Sequence, residues 1–215
     1  MMRFIEGEIY HVFNRGNNKQ PIFFNRENYL FFLAKIRKEL LPYCDIISYC
    51  LMPNHFHLEV FIKSVPKTRL AVSGHSTDCH SPDEQPIGKT FSNGLAVLLR
   101  SYTRAIQKQQ NITGSLFQQK TKARQLNYGR VNEAMNEALI CMNYIHLNAL
   151  KAGLVKSIEQ WEFSSYLDYA NLRADTLCNK RLGFEVTGIQ ENTFIDESRE
   201  MATDYFEFIH AISPD

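Results

Sequence analysis

The chain has 215 residues, a formal net charge of +1, and 44% hydrophobic and 22% charged residues. That is enough for one domain with a full core, and the balance is too ordinary for a disordered or fibrous protein. No apolar run approaches the length that crosses a bilayer.

The start, Met1 to Gly7, lacks the apolar stretch and small-residue cleavage site of a secretory signal. Five cysteines (44, 50, 79, 141 and 178) are scattered without a C-x-x-C pair and read as reduced thiols, so a cytoplasmic protein without membrane association is expected. The small net charge hides an uneven distribution. Between Gln85 and Asn132 there is no acid, while Lys89, Arg100, Arg104, Lys108, Lys120, Lys122, Arg124 and Arg130 all fall there; from Glu185 onward eight acids face only Arg199. A basic central block suits a phosphate-binding surface, or equally a solvated helix face and a lysine-protected strand edge.

In chain order, Ile9 to Asn14 alternates between Gly7 and Gly16 and reads as a strand, followed by a turn over Asn14 to Asn18. Asn25 is placed to cap a helix reaching about Leu41, ended by Pro42. Asp45 to Met52 is a second strand, turned by Pro53-Asn54 into a third as a hairpin. On that third strand Phe56, Leu58, Val60 and Ile62 form one face, and His55, His57 and Glu59 the other. Two imidazoles two residues apart on a strand point the same way and suit one metal ion; the plainer reading is a half-buried strand with a polar outer face. Glu59 reads as a partner for a metal-bound histidine or as a surface carboxylate.

Residues 64–88, rich in Pro, Gly and Ser, read as a polar surface insertion; His75, Cys79 and His80 within it resemble a metal tract only loosely. Leu95, Leu98, Leu99, Tyr102 and Ile106 predict a helix over about Thr90 to Gln110, with Arg100, Arg104 and Lys108 as an i, i+4, i+8 stripe. Ser115 to Leu126 suits a strand presenting Lys120, Lys122 and Arg124 on one face. In Val131 to Leu150, the residues Val131, Met135, Ala138, Leu139, Met142, Ile145 and Ala149 share a helical stripe. Tyr144 and Asn148 lie four apart, nearly opposite; in isolation they read as helix surface, and His146 as structural. Aromatic residues from Trp161 to Tyr169 suggest packing. A last helix, about Glu197 to Ile212, carries an apolar stripe that docks on the domain or on a second copy as a homodimer.

Four stretches, Tyr10-His11-Val12-Phe13-Asn14-Arg15-Gly16, Tyr49-Cys50-Leu51-Met52-Pro53-Asn54-His55-Phe56-His57, Gly114-Ser115-Leu116-Phe117-Gln118 and Asn143-Tyr144-Ile145-His146-Leu147-Asn148, resemble the single-tyrosine transposases of the insertion-sequence 200 and REP-associated types, within the HUH endonuclease superfamily. Each is weak alone; the ordered set, spanning about residues 7 to 170, is specific. The resemblance implies an α+β fold: a ferredoxin-like antiparallel sheet with helices on one face and the tyrosine helix approaching the histidine face. It divides the chain into a catalytic domain, 1–170, and an acidic C-terminal extension, 171–215. Ala149-Leu150 stands where many relatives have Pro-Val.

Carried over residue by residue, the resemblance implies Tyr144 as nucleophile and His55, His57 and Asn148 as ligands of Mg2+ or Mn2+. The activity implied is a DNA transposase: cleavage and rejoining of single-stranded, hairpin-containing DNA through a 5′-phosphotyrosine. Arg15, Arg100, Arg104, Lys120, Lys122 and Arg124 are the candidate DNA contacts, with aromatic side chains stacking unpaired bases. The alternatives are a non-catalytic hairpin DNA-binding protein that has kept the fold, and a metal hydrolase in which water replaces the tyrosine.

Overall fold

The computed structural model describes residues 4–63, 90–128, 136–174 and 176–212, with side chains through residue 203. The expected insertion 64–88, with His75, Cys79 and His80, lies outside them, as do Val131 and Met135 and the side chains of the last helical stripe beyond Met201.

Among the described residues four strands form: β1 (Ile9–Arg15), β2 (Cys44–Met52), β3 (His55–Ile62) and β4 (Lys122–Leu126). They make an antiparallel sheet in the order β2-β3-β1-β4. Helix α1 (Arg26–Glu39) connects β1 to β2, and α2 (Phe91–Gln110) lies between β3 and β4. This is the expected α+β, ferredoxin-like arrangement. Asn25 starts α1 by accepting from the Asn28 amide at 3.0 Å, and Thr90 starts α2 through the Asn93 amide.

Because side chains alternate along a strand, each face of the sheet has its own character. Tyr10, Val12, Phe56, Leu58 and Val60 are buried on the face that α1 and α2 cover. Phe32 of α1 meets Phe56 at 5.3 Å between ring centroids and Tyr102 of α2 at 4.9 Å. Burying each such side chain contributes about 1.5–3 kcal/mol.

The opposite face, carrying the histidines, receives α3 (Glu137–His146) and α4 (Asn148–Lys151). Ala138, Met142, Ile145 and Ala149 are buried, as their spacing predicts. The continuous helix expected through Leu150 is interrupted at Leu147, whose ψ of −4° flattens the turn. Hydrogen bonds from the Leu147 amide to Asn143 O and from the Lys151 amide to Leu147 O bridge that junction.

The predicted strand over 115–126 contracts to 122–126. Leu116 and Phe117 turn into the core, and Asn14 Nδ2 donates to Gln118 O and Thr121 Oγ1, so the chain makes a corner there. Lys120 sits in that corner.

After α4 the chain covers the free edge of β2. Amide–carbonyl bonds link Leu51 to Phe163, Ser165 to Tyr49, and Asn179 to Ile46, each 2.9 Å, which protects an edge that would otherwise pair with another strand. The short α5 (Tyr166–Tyr169), α6 (Lys180–Thr187) and α7 (Phe194–Ile212) complete the chain. Phe194, expected in a C-terminal extension, is fully buried against Tyr166 and Tyr169 of the domain. Among the described residues no helix is long and apolar enough to cross a membrane.

Helices α1 and α2 cross at Gly94, where an added Cβ would lie 2.2 Å from Glu39 O. A backbone oxygen cannot move aside cheaply. Gly94→Ala therefore costs about 2 kcal/mol, measured as a fall of roughly 4–8 °C in Tm.

Candidate active site

Residues far apart in sequence meet in a cleft of about 290 Å³ lined by His55, His57 and Tyr144 together with Arg15, Lys120 and Lys122. Strand β3 supplies the two histidines. Pairing of β1 with β3 sets Phe13 opposite His57 and Arg15 opposite His55. Helix α3 brings Tyr144, 43% exposed, with its ring centroid 5.3 Å from that of His57. From α4, Asn148 Oδ1 lies 3.3 Å from His55 Nε2. Tyr144, His55, His57 and Asn148 are thus brought together within one chain.

Each imidazole is held by its far nitrogen. His55 Nδ1 is 2.6 Å from Asn54 Oδ1, an acceptor, so the proton sits on Nδ1 and a neutral His55 has a bare Nε2. That nitrogen lies 3.3 Å from the Asn148 carboxamide, whose Nδ2 can donate to it once the amide is turned over. His57 Nδ1 is 2.8 Å from His11 Nε2. Burial, with the neighbouring His11, His55 and Arg15 charges adding to it, pushes the His57 pKa down to about 2. Burial also lowers His55, against the Asn148 bond. Burial, then Arg124, takes His11 down to about 4. The rings are therefore neutral near pH 7, the form that binds metal.

One separation in this donor set has the spacing that a divalent ion would need. Adjacent ligands at about 2.1 Å from an octahedral ion stand roughly 3 Å apart, close to the His55–Asn148 separation. Among the described residues no group of three or more His, Cys, Asp or Glu side chains is arranged for a metal. Two imidazoles and a carboxamide leave most of the coordination sphere to water and substrate, an open site rather than a closed structural cage.

Glu59 belongs to neither expected category. It shares the histidine face but is fully buried, with Oε2 2.8 Å from the Ser48 hydroxyl and Oε1 without a partner. Burial lifts its pKa to about 8, despite the Ser48 bond. His146 is also buried, its Nε2 2.9 Å from Ser165 Oγ, which fits the structural reading.

The candidate DNA contacts separate. Arg15, Lys120 and Lys122 line the cleft. Arg100 and Arg104 are exposed on α2, across the sheet from the histidines, and do not join it. Arg124, largely exposed, is ion-paired with Glu137 at the start of the tyrosine helix. A larger cleft, about 360 Å³, lies beside Asp168 and Arg173. The Arg173 guanidinium binds Asp168, the Tyr49 hydroxyl and the carbonyls of Glu162 and Ser164, so it closes a corner of the fold.

His11 and Asn54 are the site residues that sequence reading misses. Both stood within the quoted motifs, and alternation put His11 on the same face of β1 as Phe13 and Arg15; what was missing was the pairing register. Lys151 Nζ also sits 5.7 Å from the Tyr144 ring centroid.

No protein-family model and no curated protein matches the chain. Among solved structures its fold is similar to that of a REP-associated tyrosine transposase bound to a REP hairpin, with a TM-score of 0.54, 13% identity, and coverage of 83% of this chain and 92% of that one. The chain thus shares the fold to which its motifs pointed.

Asn136 anchors the tyrosine helix. Its Oδ1 accepts from the amides of Ala138 and Leu139, and its Nδ2 donates to the carbonyls of Val186 and Thr187. Asn136→Ala is expected to cost about 1–2 kcal/mol in denaturant unfolding and to speed amide exchange at residues 138 and 139.

Proposed function

We propose that this protein is a DNA strand transferase: Tyr144 cleaves single-stranded DNA at hairpin-containing sites, forms a 5′-phosphotyrosine, and later releases it to a 3′-OH. One observation carries the reading. Tyr144, His55 and His57 converge on a cleft that also holds three cationic side chains, and Asn148, 93 positions beyond His55, meets the His55 Nε2 atom. The fold shared with a hairpin-bound tyrosine transposase supports hairpin DNA as the substrate class.

Tyr144, 43% exposed, lines the cleft on a helix fixed at both ends, so a backbone phosphate can approach it. Attack forms a bond from the phenolic oxygen to phosphorus and breaks the bond to the 3′ oxygen; the phenol loses its proton and the departing 3′ oxygen gains one. Covalent attachment conserves the phosphodiester, so a second 3′-OH reverses the step without ATP. A phenol with a pKa near ~10 is a poor nucleophile at pH 7, so the charge developing on the phosphate needs stabilising. Mg2+ or Mn2+ held by His55, His57 and Asn148 supplies that charge stabilisation. Arg15, Lys120 and Lys122 hold the strand by its phosphates. Tyr144 faces the histidines of its own chain, so the reading needs no second copy.

The test incubates the full chain with a single-stranded hairpin oligonucleotide in Mg2+ or Mn2+. A covalent adduct that survives denaturing electrophoresis is expected, lost on chelation, in His57→Ala and in Tyr144→Phe, with hairpin binding retained in Tyr144→Phe. An adduct persisting in Tyr144→Phe moves the nucleophile elsewhere. A free 5′-phosphate with no adduct at any time assigns the attack to water. Binding with no cleavage in any divalent metal makes the protein a hairpin binder.

A further inference from the structure

We infer that His11 is a positioning residue for the metal site, accepting the Nδ1 proton of His57 so that the bare Nε2 is presented to the cleft; this rests on the function proposed above and assigns a task within that site. The His57 Nδ1 and His11 Nε2 atoms are 2.8 Å apart, and one proton occupies the line between them. With the proton on His57, its Nε2 lone pair is free to bind a cation. With the proton on His11, a neutral His57 carries its own on Nε2 and cannot bind there. Ligation therefore requires His11 as acceptor.

The packing enforces the pair. The two rings lie 5.0 Å apart at an interplanar angle of 25°, and Phe13 stacks against both, at 4.7 Å from His11 and 5.6 Å from His57. His11 Nε2 is committed to His57 Nδ1, which distinguishes orientation from ligation. Asn54 does the same for His55, so both imidazoles are held by Nδ1, each by a residue outside the proposed ligand set. Partners of this kind typically change metal affinity by about 10–100-fold.

The experiment titrates Mn2+ alone into the full chain by calorimetry. Wild type is compared with His55→Ala, His57→Ala, His11→Phe and His11→Gln, with hairpin-DNA affinity and Tm as controls. His11→Phe is expected to weaken Mn2+ roughly 10–100-fold with hairpin affinity unchanged, and His11→Gln, whose carbonyl accepts the same proton, to recover most of the loss. If His11→Phe lowers Tm, His11→Met replaces it as the apolar variant. Equal Mn2+ binding in wild type and in the His55 and His57 variants defeats the metal-site reading itself. Wild-type affinity in both apolar His11 variants overturns the positioning inference alone. Loss to the level of His57→Ala without recovery in His11→Gln also overturns it, because His11 is then a ligand.

Discussion

A one-residue slip between β1 and β3 would turn His11, Phe13 and Arg15 away from His55 and His57, because side chains alternate with period two along a strand. The register that prevents this pairs Phe13 with His57 and Arg15 with His55. It is held from the other side of the sheet, where Val12 opposite Leu58 and Tyr10 opposite Val60 are buried under α1 and α2. Hydrophobic packing on one face thus sets the alignment of polar groups on the other.

The histidine face bears costs that folding alone does not call for. Three imidazoles stand close together, and a carboxyl oxygen of Glu59 and Nδ1 of His146 are buried without partners. Buried polar groups of this kind are costly unless satisfied. Here α3 and α4 cover them, and α3 is fastened at its start by Asn136 and the Arg124–Glu137 pair and at its end by His146 against Ser165. Sites that break local folding rules are where function tends to reside, and the exposed Tyr144 lies at the rim of this one.

Cations that look alike in sequence differ in their tasks. Arg15, Lys120 and Lys122 stand at the cleft, and Arg124 is used to fasten α3. The Arg100 and Arg104 stripe faces solvent behind the sheet because Leu95, Leu98, Tyr102 and Ile106 take the inner side of α2. An amphipathic pattern says which side chains face outward; it does not say toward which side of the molecule.

Local physics was legible in the sequence. Period-two alternation gave the strands, Asn25 and Thr90 marked helix starts, and the His-x-His spacing put two imidazoles on one face. The ordered motifs nominated Tyr144 and Asn148, which the fold brings beside those imidazoles. Tertiary structure alone decided that His11 meets His57, that Glu59 is sealed inside, that the chain turns at Phe117 rather than continuing as a strand, and that the Arg100 stripe lies across the sheet. Each depends on which strand pairs with which and on which face a helix lands. Those choices are made by contacts between distant segments, and no neighbourhood in the sequence contains them.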